Sequence, residues 1–345
     1  MYGENYGYRS GLNNYMVNHL NQITNYVVNT IDIDEGDLII DIGSNDGTLL
    51  NSYQNKNIER IGIDPSAGKF SEYYSKDIKL IEDFFSADKI NSVCANKKAK
   101  VISSIAMFYD LDDPLEFVRN IKLCLSDNGI WVFEQSYLPS LLRNYSYDTI
   151  CHEHLEYYSS KIIINLMKKN QLRVFDIKNN DINGGSSRYF ICHKNAKYKI
   201  NKKKIAKILR QEEKLKLEDK NSYLKYYKKI NLIKNKTRKL IENLLSKGKV
   251  IHGYGASTKG NVFLQYLEIS SKKITFIAER NPLKFNKFTP GNYIKIISEK
   301  KSRLKKPDYY LVLPWHFKKE ILKREIKIRR QGTKFIFPLP TLKVI

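Results

Sequence analysis

The sequence predicts an α/β chain: a doubly wound sheet of parallel strands, with a second, smaller α/β domain behind it. Three observations carry this. Between about residues 36 and 195 short apolar runs alternate with helical patterns, as strand–crossover–strand units require. A glycine turn, Asp41-Ile-Gly-Ser-Asn-Asp-Gly47, follows directly on an apolar run from Leu38, and the next apolar run ends in an acid, Asp64. A second strand–turn–helix, Lys249-Val-Ile-His-Gly-Tyr-Gly-Ala-Ser-Thr-Lys-Gly260, appears after a Lys-rich helical stretch. The boundaries expected are an aromatic lead and helix over 1–30, the first α/β domain over 31–195, a helical connector over 196–248 and the C-terminal α/β domain over 249–345. A length of 345 residues suits two cores of ordinary size.

The lead, Met1-Tyr-Gly-Glu-Asn-Tyr-Gly-Tyr-Arg-Ser10, is polar and aromatic, unlike a signal peptide, and a helix is expected over 15–28. No apolar run approaches the roughly 18–20 residues of a membrane helix, and the four cysteines form no C-x-x-C pair, so neither a zinc clip nor a disulfide framework is expected. These features fit a cytoplasmic protein.

Strands are expected at 38–42, 59–63, 78–81, 100–104, 129–134, 172–178 and 188–193. In the turn after the first, glycines let the backbone approach a ligand, and Asp64, one strand later, is placed to accept hydrogen bonds from ribose hydroxyls. The order D-x-G-x-N-x-G is not the dinucleotide G-x-G-x-x-G. It is the style that accompanies S-adenosylmethionine (SAM), which has no pyrophosphate.

Asp148-Thr-Ile-Cys-His-Glu-His-Leu-Glu-Tyr-Tyr158 is the second dense cluster. His152-x-His154 lacks the zincin spacing, so metal binding is disfavoured and no metal is expected. A histidine beside a glutamate is a good general base, because a carboxylate fixes its tautomer and raises its basicity. The competing reading is a polar turn capping a helix from 159 or 160. Asn180-Asp-Ile-Asn-Gly-Gly-Ser-Ser-Arg188 reads either as a loop holding a substrate hydroxyl or phosphate, or as a plain hairpin turn.

The stretch 194–249 alternates lysine with apolar residues at helical spacing, placing Ile208, Leu224, Ile230, Ile233, Ile241 and Leu244 among others on apolar faces. This arrangement, with a general Lys/Asn/Ile bias, accounts for much of the +24 net charge and weakens a nucleic-acid reading. A basic surface would still attract an anionic substrate. In the turn at 253–260, Ser257, Thr258 and Lys259 open a helix after glycines, which suits a nucleotide or phosphate contact; the P-loop order is absent. Short strands are expected near 274–277, 309–313 and 334–337.

With these motifs in view, the chain resembles the SAM-dependent sugar C-methyltransferases, which methylate a nucleotide-linked keto-sugar at a carbon beside the ketone. The matching pieces are Tyr6-Gly-Tyr-Arg-Ser-Gly-Leu-Asn13, Asp41 to Gly47 with Asp64-Pro-Ser66, His152-Glu-His-Leu155 with Tyr157, Gly184-Gly-Ser186, Gly253 to Gly260 and Pro338-Leu-Pro340, in family order. In that family a zinc module of paired cysteines precedes the tyrosine-rich lead, so this chain resembles a shortened member. The resemblance implies a Rossmann-like SAM domain and a smaller Rossmann-like C-terminal domain that helps hold the nucleotide sugar. It implies that His154 removes the acidic proton, with Glu153 its partner and His152 alongside. It places Asp41, Gly43, Asn45, Gly47 and Asp64 at SAM, Asp83 and Phe84 near the adenine and Met107 in the pocket lining. Tyr8, Tyr157, Asn183, Gly255 and Lys259 would shape the substrate site. Two positions depart from the pattern: Cys151 stands where tyrosine is common, and Asp110 where a histidine is expected. They suggest a different subgroup, with another sugar or an oxygen or nitrogen acceptor. Rival readings are an O- or N-methyltransferase, an NAD-dependent oxidoreductase using the 253–260 turn, and a nucleic-acid-binding protein. The oxidoreductase is disfavoured because only Glu279 is available as an acid after the following strand.

Overall fold

The structure, a computed structural model, describes residues 7–54 and 57–345. Tyr6, the first residue of the matched lead, lies outside the described residues. The chain divides into two units. The first comprises the described residues up to Tyr137, Leu155–Asn180 and Ser186–Glu212; the second comprises Leu138–His154, Asp181–Gly185 and Glu213–Ile345. The sequence reading had drawn contiguous domains with a separate connector at 196–248. The structure instead splits that connector at 212 and assigns the segments holding His154 and Asn183 to the second unit.

The strands of the first unit are β1 (Leu38–Ile42), β2 (Glu59–Ile63), β3 (Ile78–Ile81), β4 (Ala99–Ile105), β5 (Leu125–Ser136), β6 (Leu172–Asn180) and β7 (Ser186–His193). They form one sheet in the order β3-β2-β1-β4-β5-β7-β6. β1 to β5 are parallel, and β7 runs antiparallel to both β5 and β6. Every residue of β1 is buried, as expected of a parallel strand covered on both faces, which is why it reads as a continuous apolar run. The order reverses beside β1, with β2 on one side and β4 on the other. Ligands in open α/β sheets bind at such switch points, beyond the carboxyl ends of the strands.

Helix Asn14–Val28 buries Met16, His19, Leu20, Ile23, Thr24 and Val27, a stripe at three- and four-residue spacing. The Asn13 side chain caps it by accepting from Tyr15 N. On one face of the sheet Phe108, Phe117, Trp131, Phe133, Tyr158 and Tyr189 form an aromatic core, with Phe133 4.6 Å from Trp131 and 4.9 Å from both Phe108 and Tyr189, centroid to centroid. Helix Ser160–Lys169 follows, and its cap is Ser159, reinforced by Glu212, which accepts from Ser160 N and Lys161 N. The histidines at 152 and 154 are not the cap. β6 and β7 form a hairpin, so the 180–188 stretch is a hairpin connection.

The second unit carries β8 (Ile251–Tyr254), β9 (Phe276–Glu279), β10 (Lys295–Ser298), β11 (Tyr309–Val312), β12 (Lys334–Phe337) and β13 (Lys343–Val344), in the order β10-β9-β8-β11-β12-β13. All pairings are parallel except β12 with β13. β8 is again the switch point. The sequence reading missed β10 and β13, which are four and two residues long and carry too little pattern to stand out. The Lys-rich stretch forms helices Lys202–Glu213 and Lys220–Ser246. The longer buries Tyr226, Ile230, Ile233, Thr237, Ile241 and Leu244 along one stripe; Leu224 falls off it and is exposed. Among the described residues no helix is long and apolar enough to cross a membrane.

Candidate active site

In the first unit the turn after β1 is held from three sides. Gly43 donates to Ile63 O of β2 at 2.8 Å, with φ at +70°. A Cβ there would lie 3.3 Å from Met107 Cγ, so the turn needs glycine both for its backbone conformation and for the close approach of Met107. Asp64, buried beyond β2, accepts from Asn45 N at 2.9 Å through Oδ2 and from Ser66 N and Oγ at 2.7 and 2.6 Å through Oδ1. Three protein donors fix the carboxylate and leave one lone pair on Oδ2 beyond those they use. Asp41 lies deeper, accepting from Ser103 Oγ of β4 at 2.5 Å. Burial pushes its carboxyl up to about 7, against the Ser103 bond and with the nearby Asp64 charge.

The lead grips this turn. Asn45 Oδ1 accepts from Ser10 N at 3.0 Å, its Nδ2 donates to Tyr8 O at 3.0 Å, and Asp46 accepts from Gly11 N at 2.8 Å. Arg9 adds an ion pair to Asp46 at 3.5 Å and lies over the Tyr73 ring. The sequence reading gave Asn45 to the cofactor; its side chain is committed to the lead. Asp46, Ser10 and Gly11 were missed, since a main-chain donor leaves no mark in residue types. Gly47 ends the turn, with φ at +71°. Tyr8 contributes its carbonyl, and its side chain is exposed.

The outlying cofactor candidates sit differently. Phe84 is 63% exposed, which removes it from the core and leaves its ring available to a ligand. Asp83 pairs with Lys89 at 2.6 Å and accepts from Phe84 N. At the end of β5, buried Glu134 binds His19 Nε2 at 2.6 Å, Arg188 Nε at 2.8 Å and Asn180 Nδ2 at 2.8 Å. Burial pulls this carboxyl upward, but His19 and Arg188 hold it below the usual range. No sequence signal joined these four residues.

The catalytic candidates lie in the second unit. His154 Nδ1 sits 2.8 Å from Thr149 O. A carbonyl only accepts, so Nδ1 carries the hydrogen and Nε2 keeps its lone pair as the basic atom. Sequence reasoning assigned the tautomer to the neighbouring carboxylate; a main-chain carbonyl sets it. Glu153 instead accepts from Cys151 Sγ at 3.6 Å, and His152 is exposed. Burial and the Lys259 charge together push His154 down to about 4, against the Thr149 bond, so the imidazole is a free base at neutral pH. Asp148, 1% exposed, accepts from Trp315 Nε1 at 2.9 Å. Burial pushes the Asp148 carboxyl up while Lys259 draws it down; burial likewise lowers the Lys259 ammonium, and Asp148 opposes that. Trp315 escaped sequence reasoning, although it follows a strand end.

The Lys259 Nζ donates to Asn183 O at 2.7 Å, which uses one of its three donors. Asn183 has φ at +54°, and a Cβ on Gly184 would meet the Trp315 ring at 3.3 Å. The paired glycines therefore serve close packing. Tyr157, three residues after His154, belongs to the first unit and is half-buried.

The turn after β8 repeats the circuit of the turn after β1. Gly255, φ +85°, donates to Ala278 O of β9 at 2.8 Å, and Glu279 Oε2, ending β9, accepts from Ala256 N at 2.7 Å. Ser257 caps helix Thr258–Tyr266 by accepting from Gly260 N. The acid judged doubtful in the sequence occupies, in this turn, the place of Asp64 in the other.

Residues 16–177 match the methyltransferase domain family, and residues 181–340 match the C-methyltransferase C-terminal domain family. C-methyltransferase NovU of Streptomyces niveus is 28% identical over 331 residues, covering 96% of this chain and 79% of that protein. Among solved structures, the plantazolicin methyltransferase BpumL in complex with SAH matches 50% of this chain and 82% of its own at 15% identity and a TM-score of 0.39. A putative methyltransferase from Bacillus halodurans matches 52% of this chain and 98% of its own at 8% identity and a TM-score of 0.38. These structural likenesses are too loose to inform the site.

Proposed function

We propose that this SAM-dependent methyltransferase, which belongs to the C-methyltransferase family, methylates a nucleotide-activated keto-sugar at the carbon beside its carbonyl. The observation that carries the reading is the Thr149 carbonyl on His154 Nδ1, which leaves Nε2 as an uncharged base at neutral pH. Removing an acidic C–H beside a carbonyl needs a base that is unprotonated at the working pH. Nε2 takes the proton, the C–H electron pair passes into the enolate, and the new imidazolium later releases the proton to solvent. SAM, when bound, would supply an electrophilic sulfonium methyl for the enolate carbon and leave as S-adenosylhomocysteine. Glu153, which accepts from Cys151 Sγ, and exposed His152 share the turn with His154 and would carry that proton onward.

The first unit would hold SAM through the turn of Gly43 to Gly47, with Asp64 Oδ2 on a ribose hydroxyl, Met107 lining the pocket and exposed Phe84 near the adenine. In the second unit the Gly255 turn and Glu279 repeat that arrangement and suit a second nucleotide, that of the sugar. Asn183, Tyr157 and Tyr8 complete the acceptor set. The +24 charge draws an anionic diphosphate toward the protein. A cytoplasmic role in surface-glycan or deoxysugar biosynthesis follows from such a substrate.

The test is product analysis after incubation with SAM and a panel of nucleoside-diphosphate keto-hexoses. A product one methylene heavier, whose new methyl carbon lacks a methoxy shift in NMR and survives glycosidic hydrolysis, supports the reading. A methoxy or N-methyl signal would move the chemistry to the oxygen or nitrogen acceptor that Cys151 and Asp110 suggest.

A further inference from the structure

Trp131, Phe133 and Gln135 alternate onto one face of β5, the face of the aromatic core, and Tyr137 continues the same row. Polar groups on this face are accounted for one by one. Trp131 Nε1 donates to Ser104 Oγ at 3.0 Å, Tyr137 OH to Glu212 Oε1 at 2.7 Å, and Tyr189 OH lies 3.2 Å from Ser160 Oγ. The exceptions are Tyr158 and, first, Gln135. It is 1% exposed, yet neither its Nε2 nor its Oε1 has a hydrogen-bond partner among the described residues. The buried hydroxyl of Tyr158, whose ring lies 5.5 Å from that of Phe108, is likewise unpaired.

A buried carboxamide without a partner destabilises the fold, and an apolar side chain of the same size would serve the core better. Its position gives the reason for keeping it. Gln135 is the penultimate residue of β5, one past Glu134, which pairs with the last residue of β4. It therefore stands at the carboxyl end of the parallel strands, the edge that carries Gly43 and Asp64 and where ligands bind in such sheets. A carboxamide offers both donor and acceptor, which matches a hydroxyl. A phenol adds a second donor–acceptor group.

We propose that Gln135 and Tyr158 bind a polar substituent of the methyl acceptor, a hydroxyl neighbouring the reacting carbon, and so set which acceptor is methylated. This rests on the acceptor chemistry proposed above. A hydrogen-bonding site rejects an analogue lacking the hydroxyl strongly, because its own buried groups are then left unpaired.

The experiment uses the full chain with Gln135→Met and Tyr158→Phe, each keeping the volume and removing the polar function. Four quantities are read: thermal midpoint without ligand, SAH affinity, kcat/KM for a nucleoside-diphosphate keto-hexose, and the same for its analogue deoxygenated beside the reacting carbon. Gln135→Met should raise the midpoint by about 2–4 °C, leave SAH affinity within twofold, and lower kcat/KM for the hydroxylated sugar at least tenfold. The preference over the deoxy analogue should collapse. Tyr158→Phe should reproduce the loss of preference. A lowered midpoint with unchanged kinetics would make Gln135 a structural group bridged by buried water and overturn the proposal. Weakened SAH binding would assign it to the cofactor and overturn it equally. If wild type methylates no keto-sugar, the acceptor chemistry itself fails, whereas an unraised midpoint in Gln135→Met counts against the Gln135 assignment alone.

Discussion

Replacing Lys259 by methionine should raise the pKa of His154, by an amount that the surroundings bound. The imidazole stands at about 4 against an ordinary 6.5, with burial the larger cause and the Lys259 charge the second. The Thr149 bond works the other way. Methionine keeps most of the buried stem and removes only the charge, so the desolvation contribution stays. Loss of the smaller of the two depressing effects should return about one pH unit, taking the group toward 5. Lys259→Arg should leave it near 4. The assay is an NMR titration of the histidine ring carbons, with the His154 signal among the six histidines assigned by its disappearance in His154→Gln. Glu153 and Cys151 share the turn and stay unchanged throughout. The acid limb of kcat/KM should move up with the titration. A His154 signal that does not move in Lys259→Met, or moves down, would refute the electrostatic account of its basicity.

Three further outcomes are expected. Asp64→Ala removes the acceptor of three protein donors and, on the proposed reading, of a ribose hydroxyl, so SAH binding by calorimetry should weaken at least tenfold, or about 1.4 kcal/mol; unchanged affinity would place the cofactor elsewhere. Gly255→Ala forces a non-glycine residue to φ +85° and sets a Cβ 2.7 Å from Pro314, so the second unit should lose about 1–3 kcal/mol in denaturant unfolding. The units should also respond oppositely to acid. His154 and His252, both held near 4, bind fewer protons folded than unfolded, so their stability is full above 6.5 and lost as pH falls from 6.5 to 4. Asp41, raised to about 7, contributes fully below 3.8 and loses its contribution as pH rises to 7. Hydrogen exchange at pH 4.5 and 7 should show protection falling in the second unit on acidification, and Asp41→Asn should flatten the response of the first.

The sequence by itself determined both sheets' central strands, the two glycine turns, the helix expected over 15–28 and the Lys-rich helices, because each rests on local signals: apolar runs, periodic stripes, glycines at strand ends. It also named the acid after β2 and the histidine whose Nδ1 faces Thr149 O. Only the tertiary structure decided what each group is bonded to. Asn45 looked like a ligand contact until the lead closed on its side chain, Lys259 like an anion site alone until Asn183 O was found on its ammonium, and Glu279 like a stray acid until Ala256 N was found on it. The partners there are main-chain atoms 23 to 76 residues away. Every residue type carries the same N–H and C=O, so no spacing or composition could reveal which carbonyl would fix a tautomer or which amide an acid would hold.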